Sequence, residues 1–212
     1  MSGVSPLTLN RLSLYLRCLQ ELGAEGVARV SSTELADRYG LSASQIRKDL
    51  AQFGEFGIRG VGYEIVPLRS RLRSLLGLDR ERGLVIVGVG SLGTALVRFP
   101  GFNRDGYRVV GLADSDPRLV GRMVDGKTVE PVAALGALVR RTGATLGVLA
   151  VPSAAAQGAY ETLAAAGIGA VLNFAPTQIR ALPGVPVKTV DLRIHLEELG
   201  FLMERPREGG RS

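Results

Sequence analysis

The chain has 212 residues, of which 46% are hydrophobic and 22% charged, a composition too apolar for a disordered protein and sufficient for one large domain or two small ones. No apolar run reaches the roughly 20 residues of a membrane span, and the first residues do not have the layout of a secretory signal. Single copies of cysteine (Cys18) and histidine (His195) exclude an internal disulfide and a structural zinc site of the usual four-ligand kind. We therefore expect a cytoplasmic, soluble protein with no metal and no membrane partner. The net charge of +6 favours a polyanionic partner such as nucleic acid.

The first region, up to about residue 67, carries short helical patterns. Leu9, Leu12, Leu16 and Leu19 recur at helical spacing and predict a helix over residues 8–23, with Cys18 packed beside them. In the segment SSTELADRYGLSASQIRKDLAQFG, residues 31–54, Ser31 and Ser42 are each followed three residues later by Glu or Gln, which is the pattern of a capping box. Gly40 lies where the first of these two helices should end, so the segment predicts a helix-turn-helix.

The second helix of this motif has two distinct faces when it is projected at about 100° per residue. Ile46, Leu50 and Phe53 fall on the side that packs inward, whereas cations and small residues occupy the opposite side, as suits a helix in a DNA major groove. A β-hairpin is predicted directly afterwards, in GEFGIRGVGYEIVP (54–67), and would form the wing of a winged helix. The predicted DNA-binding residues of the helix and of the wing tip are Ser44, Gln45, Arg47, Lys48, Arg59 and Gly60.

An arginine-rich segment, LRSRLRSLLGLDRERG (68–83), is the predicted boundary between two domains. After it, strand-like apolar runs at 84–88, 107–114, 146–151 and 170–174 alternate with helix-compatible stretches at 91–99, 131–142 and 153–166. This alternation predicts a Rossmann-type parallel sheet covered by helices, and an α/β fold class. The predicted domains are a winged-helix domain with a linker helix over 1–78, a Rossmann domain over 79–190 and a C-terminal helix over 191–206.

The segment VIVGVGSLGTAL (85–96) has the GxGxxG pattern of a dinucleotide site between a strand and a helix. Gly88 permits the tight turn, Gly90 lets the backbone approach a pyrophosphate, and Gly93 allows close packing of helix on strand. Asp114 follows Gly93 by 21 residues and ends the second strand, where it can accept from the ribose hydroxyls. The site therefore favours NADH and NAD⁺ as ligands.

The choice between NAD(H) and NADP(H) depends on the residues after that strand. Asp116 is a second candidate, besides Asp114, for binding the ribose. The nearby cations Arg118 and Arg122 could accommodate the extra phosphate of NADP(H). At the other side of the cleft, the loops VPSAAAQ (151–157) and LNFAP (172–176) follow further strands. The full set of predicted cofactor-binding residues is Gly88, Val89, Gly90, Ser91, Leu92, Gly93, Thr94, Asp114, Pro152, Asn173, Phe174 and Pro176.

A dehydrogenase would need a proton donor or acceptor beside the nicotinamide, and the sequence offers no group in such a position. His195 lies in a C-terminal helical pattern and is interpreted as a packing or surface residue. A DNA-reading module joined to a cofactor domain without catalytic groups predicts a sensor rather than an enzyme. Three alternatives stay open: a small NAD-dependent oxidoreductase, a module that binds coenzyme A, and a DNA-binding protein whose sheet domain serves only for dimerisation.

The chain resembles the Rex family of bacterial redox-sensing transcriptional repressors over nearly its whole length. The resemblance rests on RLSLYLRCL, LSASQIRKDLAQFGEFGIRGVGYEI, VGVGSLGTAL, ADSDPRLVG, VPSAAAQ, VLNFAP and VDLRIHLEELGFL. It implies a homodimer that binds palindromic operator DNA and dissociates from it on binding NADH, with no catalytic residues. It also implies that the C-terminal helix is exchanged between subunits, and that Arg17, Phe99 and Asp191 couple the domains. The family often has Tyr at position 99, so Phe99 removes a phenolic hydroxyl from this contact set.

Overall fold

The computed structural model describes residues 4–54, 56–58 and 61–204. It divides the chain into two compact units between Arg80 and Glu81. The winged-helix and Rossmann architectures predicted from the sequence are both present, and each unit is described by itself below. In the described residues, no helix is long and apolar enough to cross a membrane.

The first unit contains four helices and a small antiparallel sheet of strand order β1-β3-β2. Its elements, in chain order, are α1 (Pro6–Ala24), β1 (Arg29–Val30), α2 (Ser32–Tyr39), α3 (Ala43–Ala51), β2 (Gly57–Ile58), β3 (Gly62–Glu64) and α4 (Ile65–Leu75).

The helix boundaries of this unit follow from local chemistry. Ser5 accepts from the Thr8 N–H to cap α1, and Ser31 and Glu34 form the predicted capping box of α2. Gly40 ends α2 with a φ of 63°, a left-handed conformation that favours glycine, as predicted. Ser42 caps α3 by accepting from the Gln45 N–H, so the turn between α2 and α3 is bounded by Gly40 and Ser42, both of them residue types that indicate helix ends.

The core of the first unit lies between α1, α3 and α4. Leu12, Leu16, Leu19 and Cys18 of α1 are buried as predicted, but Leu9 is 41% exposed. The buried face of α1 is instead completed by Tyr15 and Leu22, a turn further along the helix. The arginine-rich segment begins within α4, whose apolar residues Leu68 and Leu72 are buried in this core.

The second unit is a seven-stranded sheet with helices on both faces. Its elements are β4 (Arg82–Val87), α5 (Ser91–Arg98), β5 (Tyr107–Asp114), β6 (Met123–Val124), β7 (Lys127–Pro131), α6 (Leu135–Thr142), β8 (Leu146–Leu149), α7 (Ser153–Ala165), β9 (Ala170–Asn173), β10 (Val187–Thr189) and α8 (Leu192–Glu204). The strand order is β10-β9-β8-β4-β5-β7-β6, and only β6 pairs antiparallel.

This order is that of the doubly wound dinucleotide-binding fold, with β4 at the centre and the strand order reversing between β4 and its parallel neighbour β8. The predicted strands at 84–88, 107–114, 146–151 and 170–174 are confirmed as β4, β5, β8 and β9, with shifts of up to two residues at their ends. Strands β6, β7 and β10 were not predicted: β6 has only two residues, and β7 and β10 are short and carry polar residues. Ligands of such sheets bind at the carboxyl ends of the strands, at the point where the strand order reverses.

Candidate functional site

Helix α3 of the first unit presents the predicted polar face to solvent. Ile46 and Leu50 are buried on its inner side, and Ser44, Arg47, Lys48 and Ala51 are exposed on the other. The Nη1 of Arg47 donates to the Oγ of Ser32 at the start of α2, at 2.6 Å. This contact joins the Arg47 side chain of α3 to the start of α2.

Gln45 differs from its prediction. The Oγ of Ser42 accepts from the Gln45 N–H at 3.4 Å, but the Gln45 amide does not close a capping box on Ser42. Instead its Nε2 donates to Oδ1 of Asp49, one turn along the helix, at 2.8 Å. A hydrogen bond to an ionised carboxylate is stronger than one between neutral groups, so the contact with Asp49 fixes the position of the Gln45 amide.

Asp49 is the residue of this helix that sequence reasoning missed. Its side chain is fully buried and accepts from Arg11 and from the hydroxyl of Tyr15, at 2.9 Å for the latter, in addition to Gln45. The hydrogen bonds from Arg11 lower the pKa of Asp49 below its usual range, so it is held as a carboxylate. The network therefore ties the middle of α3 to α1.

The wing is confirmed in outline. Strands β2 and β3 pair antiparallel, with Gly57 opposite Tyr63 and Ile58 opposite Gly62. Gly62 has a φ of 90°, and a Cβ there would lie 2.6 Å from the Val30 carbonyl oxygen, so only glycine fits this hairpin against β1. The predicted tip residues Arg59 and Gly60 lie outside the described residues.

The glycine-rich loop of the second unit follows β4. Gly88 has a φ of 92°, and a Cβ there would lie 2.5 Å from the carbonyl oxygen of Ala150, which belongs to the loop after β8. A Cβ on Gly93 would meet the Gly88 oxygen at 1.8 Å, which is the close helix–strand approach that the motif predicts. A Cβ on Gly90 would meet nothing within 4 Å, so the space in front of this residue is open.

Helix α5 begins at Ser91, directly after the open position at Gly90. The first N–H groups of a helix lack partners within the helix and carry the positive end of its dipole, so this end suits the phosphates of a nucleotide. Leu92 is 46% exposed on this first turn and lines the cleft. Val89 and Thr94 support the loop instead: the Val89 side chain is buried, and the Thr94 hydroxyl donates to the Val89 carbonyl at 3.1 Å.

Asp114 lies at the end of β5, as predicted from the sequence. Its carboxylate is almost fully buried, and Oδ2 accepts from the Val89 N–H at 2.6 Å. Oδ1 accepts from the Asp116 N–H at 2.8 Å. Asp114 thus connects the glycine-rich loop to the loop after β5, and each oxygen keeps a further lone pair for a ligand.

Asp116 forms the rim of the same side of the cleft. Its carboxylate accepts from the backbone N–H of Arg118 at 2.9 Å and from the Arg118 guanidinium, with Nη2 at 2.7 Å from Oδ2. These hydrogen bonds lower the pKa of Asp116 to about 2. The ion pair is a local feature of the turn at Pro117 and leaves the Arg118 side chain 84% exposed.

The opposite side of the cleft is formed by the loops after β8 and β9. Pro152, Phe174 and Pro176 line it as predicted. Asn173 does not, because its side chain is fully buried. Its Nδ2 donates to the carbonyls of Ala175 and Thr177, and its Oδ1 accepts from the Ala175 N–H, so Asn173 shapes the loop that carries Phe174 and Pro176 rather than facing the cleft.

The resulting cleft has a volume of about 700 Å³ and runs across the carboxyl ends of β5, β4 and β8. One end carries Asp114, Ser115 and Asp116, the middle is bare backbone at Gly88 and Gly90, and the other end is apolar. From one end to the other, the cleft offers acceptors for hydroxyl groups, the positive end of a helix for phosphates and an apolar surface for a ring. The ribose, the pyrophosphate and the nicotinamide of a dinucleotide follow one another in the same order.

The three predicted coupling residues are divided between the two units, Arg17 in the first and Phe99 and Asp191 in the second. Arg17 is exposed on α1 of the first unit. In the second unit Phe99 is 51% exposed and packs edge-to-face on Phe102, with 5.5 Å between ring centroids. Asp191 precedes α8 and accepts from the Arg193 N–H at 2.9 Å.

Helix α8 is the most exposed apolar element. All its residues are exposed, including Leu196, Leu199 and Phe201. His195 lies on this helix and pairs with Glu198 at 3.3 Å. No group of three or more His, Cys, Asp or Glu residues that could hold a metal ion occurs in the part of the chain that the structure describes.

Comparisons with known proteins agree with both units. Residues 3–51 match the family described as "Putative DNA-binding protein N-terminus", and residues 79–177 match the family described as "CoA binding domain". The fold and the cleft thus define a protein in which a winged-helix DNA-binding unit is joined to a nucleotide-binding unit of the Rossmann class.

Relatives over the whole chain narrow this class. The redox-sensing transcriptional repressor Rex of Roseiflexus sp. (strain RS-1) is 41% identical over 94% of this chain and 90% of its own length. Rex of Syntrophomonas wolfei is 42% identical over 92% of this chain and 93% of its own length. The chain belongs to the Rex family of redox-sensing transcriptional repressors, and it is a regulator rather than an enzyme.

Two solved structures of a Rex-family repressor, RSP, cover 96% of this chain. The crystal structure of RSP in complex with NAD⁺ and operator DNA has a TM-score of 0.90 at 34% identity and is covered over 94% of its length. The crystal structure of RSP in complex with NADH has a TM-score of 0.85 at 33% identity and is covered over 95%.

Proposed function

We propose that this protein is a homodimeric repressor that binds palindromic operator DNA and dissociates from it on binding NADH. The observation that carries the proposal is the joining, in one chain of the Rex family, of an exposed cationic recognition helix and a cleft built for a dinucleotide. The proposed organisation is a winged-helix domain over 1–78, a Rossmann domain over 79–190 and an exchanged C-terminal helix over 191–206. The proposed location is the cytoplasm, where a bacterial repressor meets its operator.

The proposed DNA-binding surface is the exposed face of α3 with the tip of the wing. Ser44, Arg47 and Lys48 would enter the major groove, where arginine can bind guanine through two hydrogen bonds. Arg59 and Gly60 at the wing tip would reach the minor groove, whose negative potential attracts a guanidinium. Gln45 would act through the Asp49 network that orients the helix, rather than by touching a base.

The proposed nucleotide site is the cleft of the second unit. Asp114 would accept from the ribose hydroxyls, and the backbone at Gly90, Ser91 and Leu92 would bind the pyrophosphate. Val89, Gly88, Gly93 and Thr94 would fix the loop, and Asn173 would hold the loop after β9 in place. Pro152, Phe174 and Pro176 would border the nicotinamide end.

This apolar end supports preference for the reduced dinucleotide. NADH carries a neutral nicotinamide ring and NAD⁺ a cationic one, and transfer of an unpaired charge from water to an apolar surface is costly. Phe174 and Pro176 supply apolar surface here, so the same pocket should bind the neutral ring more tightly. Binding would then favour one of two arrangements of the dimer, with a coupling free energy of about 1–3 kcal/mol.

The proposed dimer rests on α8. An exposed stripe of Leu192, Leu196, Leu199 and Met203 recurs at helical spacing and is too apolar for a free surface helix. We assign it to the partner subunit, as in the exchanged helix that the family resemblance implies. Arg17, Phe99 and Asp191 would then form the contact set between DNA-binding domain, cofactor domain and partner.

A gel-shift titration tests the whole proposal. A duplex with one palindromic operator would be mixed with the full chain at fixed salt, because phosphate contacts make DNA affinity salt-dependent, and the ratio of NADH to NAD⁺ would be varied. We expect a complex that persists in NAD⁺ and is released as NADH rises. Operator binding that is indifferent to both dinucleotides would instead support a sheet domain that serves only for dimerisation.

A further inference from the structure

Ser32, the first residue of α2, is a buried serine that contacts the proposed recognition helix; only 8% of it is exposed. The cap of α2 does not need its hydroxyl. Ser31 accepts from the Glu34 N–H at 3.0 Å, and the Glu34 carboxylate accepts from the Ser31 N–H at 2.7 Å. The Ser32 hydroxyl accepts from Nη1 of Arg47 at 2.6 Å instead. Ser32 therefore binds the side chain of a residue that is proposed to bind DNA.

The backbone around Ser32 is fixed on both sides. Before it, β1 pairs antiparallel with β3 of the wing, with Val30 opposite Tyr63. After it, the capping box of Ser31 and Glu34 begins α2. Movement of Ser32 would break hydrogen bonds of the strand pair or of the first helical turn, so its hydroxyl is a fixed acceptor.

Arg47 also lies near the wing. Burial raises the pKa of Tyr63, and the positive charge of Arg47 offsets part of that rise, so the two side chains lie near each other. The Tyr63 ring is itself held in place, because a Cβ on Gly57 of the paired strand would lie 2.8 Å from it. The Arg47 guanidinium therefore lies between two fixed groups, the Ser32 hydroxyl and the Tyr63 side chain.

The contact with Ser32 is compatible with binding to a base. A guanidinium has five N–H donors, and the hydrogen bond to Ser32 uses one of them. The remaining donors suffice for the two parallel hydrogen bonds that arginine makes to O6 and N7 of guanine. A long side chain that is already ordered loses less conformational entropy when it binds. The hydroxyl can thus hold Arg47 in place without removing it from the groove.

We infer that Ser32 is a positioning residue for DNA sequence recognition, whose hydroxyl holds the Arg47 guanidinium in the orientation that binds a guanine. The inference rests on the proposed binding of operator DNA by α3. The first helix of a helix-turn-helix crosses the DNA backbone instead of entering the major groove, so Ser32 acts through Arg47. Part of the sequence selectivity is thereby assigned to a residue outside the recognition helix.

Gel shifts of the full chain at fixed salt test this inference. The probes are the palindromic operator duplex and a set of duplexes in which each G·C pair of both half-sites is replaced in turn by A·T. Arg47→Ala identifies the base pair that Arg47 binds, because discrimination is lost at that position. Ser32→Ala should reduce discrimination at the same base pair by about fivefold, the effect expected when one long side chain loses its order, and leave the other positions unchanged.

A double variant and a matched control make the result specific. In the Arg47→Ala background, Ser32→Ala should have no further effect on discrimination, because the side chain that it positions is gone. Ser31→Ala is the control, since it changes the neighbouring serine, which caps α2 and is not the partner of Arg47. We expect Ser31→Ala to lower the thermal stability and to leave discrimination at every base pair unchanged. Ser32→Ala should show the reverse.

Three results would overturn the inference. An equal loss on all duplexes that persists in the Arg47→Ala background would make Ser32 a direct contact to phosphate. Tighter operator binding by Ser32→Ala would make the contact a restraint on Arg47. Unchanged discrimination would show that Arg47 is oriented without it. In all three cases the proposed function stands if NADH releases the wild type from its operator. A wild type that does not distinguish the duplexes would contradict both.

Discussion

Arg11 on α1 donates through two nitrogens to the carboxylate of Asp49 on α3, with Nε 2.5 Å from Oδ2 and Nη2 2.8 Å from Oδ1. The Asp49 side chain is fully buried, whereas 31% of the Arg11 side chain is exposed. A buried carboxylate is stable only when it is paired and hydrogen-bonded. The proposed recognition helix is therefore held against α1 by a polar contact in addition to the apolar contacts of Ile46 and Leu50.

Replacement of Asp49 by Asn should destabilise the first unit. The change keeps the shape of the side chain but removes the charge that pairs with Arg11, and loss of one partner of a buried pair costs about 3 kcal/mol. Urea unfolding at pH 7, followed by circular dichroism, measures the change. Asp37→Asn, on the exposed side of α2, is the control and should change the free energy of unfolding by less than about 0.5 kcal/mol. Equal stability of the two variants would contradict the assigned role.

The same ion pair predicts a pH dependence. Hydrogen bonds from Arg11 lower the pKa of Asp49 in the folded state, whereas the unfolded chain has the ordinary value of about 3.9. The stabilisation is therefore present above the unfolded pKa and is lost as the pH falls through the folded pKa. The difference in unfolding free energy between wild type and Asp49→Asn should shrink as the pH is lowered from 6 to 2. A difference that stays constant over this range would show that charge is not its origin.

The glycine-rich loop predicts that two alanine substitutions weaken NADH binding for different reasons, only one of which affects stability. Gly90→Ala should fold normally, because its Cβ meets nothing within 4 Å, but should weaken NADH binding by about tenfold since the methyl group occupies the path of the pyrophosphate. Gly93→Ala should lower both stability and NADH binding, because its Cβ would lie 1.8 Å from the Gly88 oxygen. Thermal unfolding and calorimetry separate the two effects. Gly136→Ala on α6, where the Cβ has ordinary contacts, is the control, and wild-type NADH binding by Gly90→Ala would contradict the proposed path.

Arg47→Ala should reduce sequence selectivity more than overall DNA affinity. Loss of a bidentate contact to a base costs about 1–3 kcal/mol, and the loss applies only to the correct sequence. Gel shifts with an operator duplex and a scrambled duplex, at the same salt concentration, measure the ratio. Arg38 lies on α2 and pairs with Glu25. Arg38→Ala removes the same charge and should leave the ratio of operator affinity to scrambled-duplex affinity unchanged. A uniform loss on both duplexes would assign Arg47 to the phosphate backbone instead.

Removal of residues 191–212 should convert the dimer to a monomer and weaken operator binding. None of the residues of α8 is buried within its own chain, so truncation should leave the fold of each unit intact. Leu196→Asp should have the same effect with the full chain, and Arg193→Ala on the same helix is its control. Analytical ultracentrifugation gives the oligomeric state. A truncated protein that remains dimeric and binds the operator would refute the exchanged helix.

The sequence predicted those parts of the molecule that depend on local chemistry. Ser31 with Glu34, Gly40, Gly88 and Gly93 each perform the structural task that their residue type indicates, and the space in front of Gly90 is open. The strands found were those with long runs of Val, Leu and Ile. Strands β7 and β10 were missed because KTVEP and VKT carry polar residues: β10 is an edge strand and β7 is covered on its outer side only by the two-residue β6, so burial is incomplete in both.

The remaining errors come from side-chain hydrogen bonds that residue type and helix or strand periodicity do not reveal. Nothing near Asp49 in the sequence indicates Arg11, 38 residues away, and without that pair neither the burial of Asp49 nor the position of the Gln45 amide is predictable. Asn173 was placed in the cleft because it ends a strand, but three acceptors in its own neighbourhood, at Ala175, Thr177 and Thr189, hold its amide.

The reversal of the strand order between β4 and β8 has a consequence for synthesis on the ribosome. Leu84 pairs with Leu146, so the centre of the sheet cannot form until more than sixty further residues have been translated. The loop that carries Phe174 and Pro176 emerges later still. The first unit ends at Arg80 and contains its own core, so it is free to fold while the cleft is still being made. A nascent chain would thus complete its winged-helix unit before its nucleotide-binding unit.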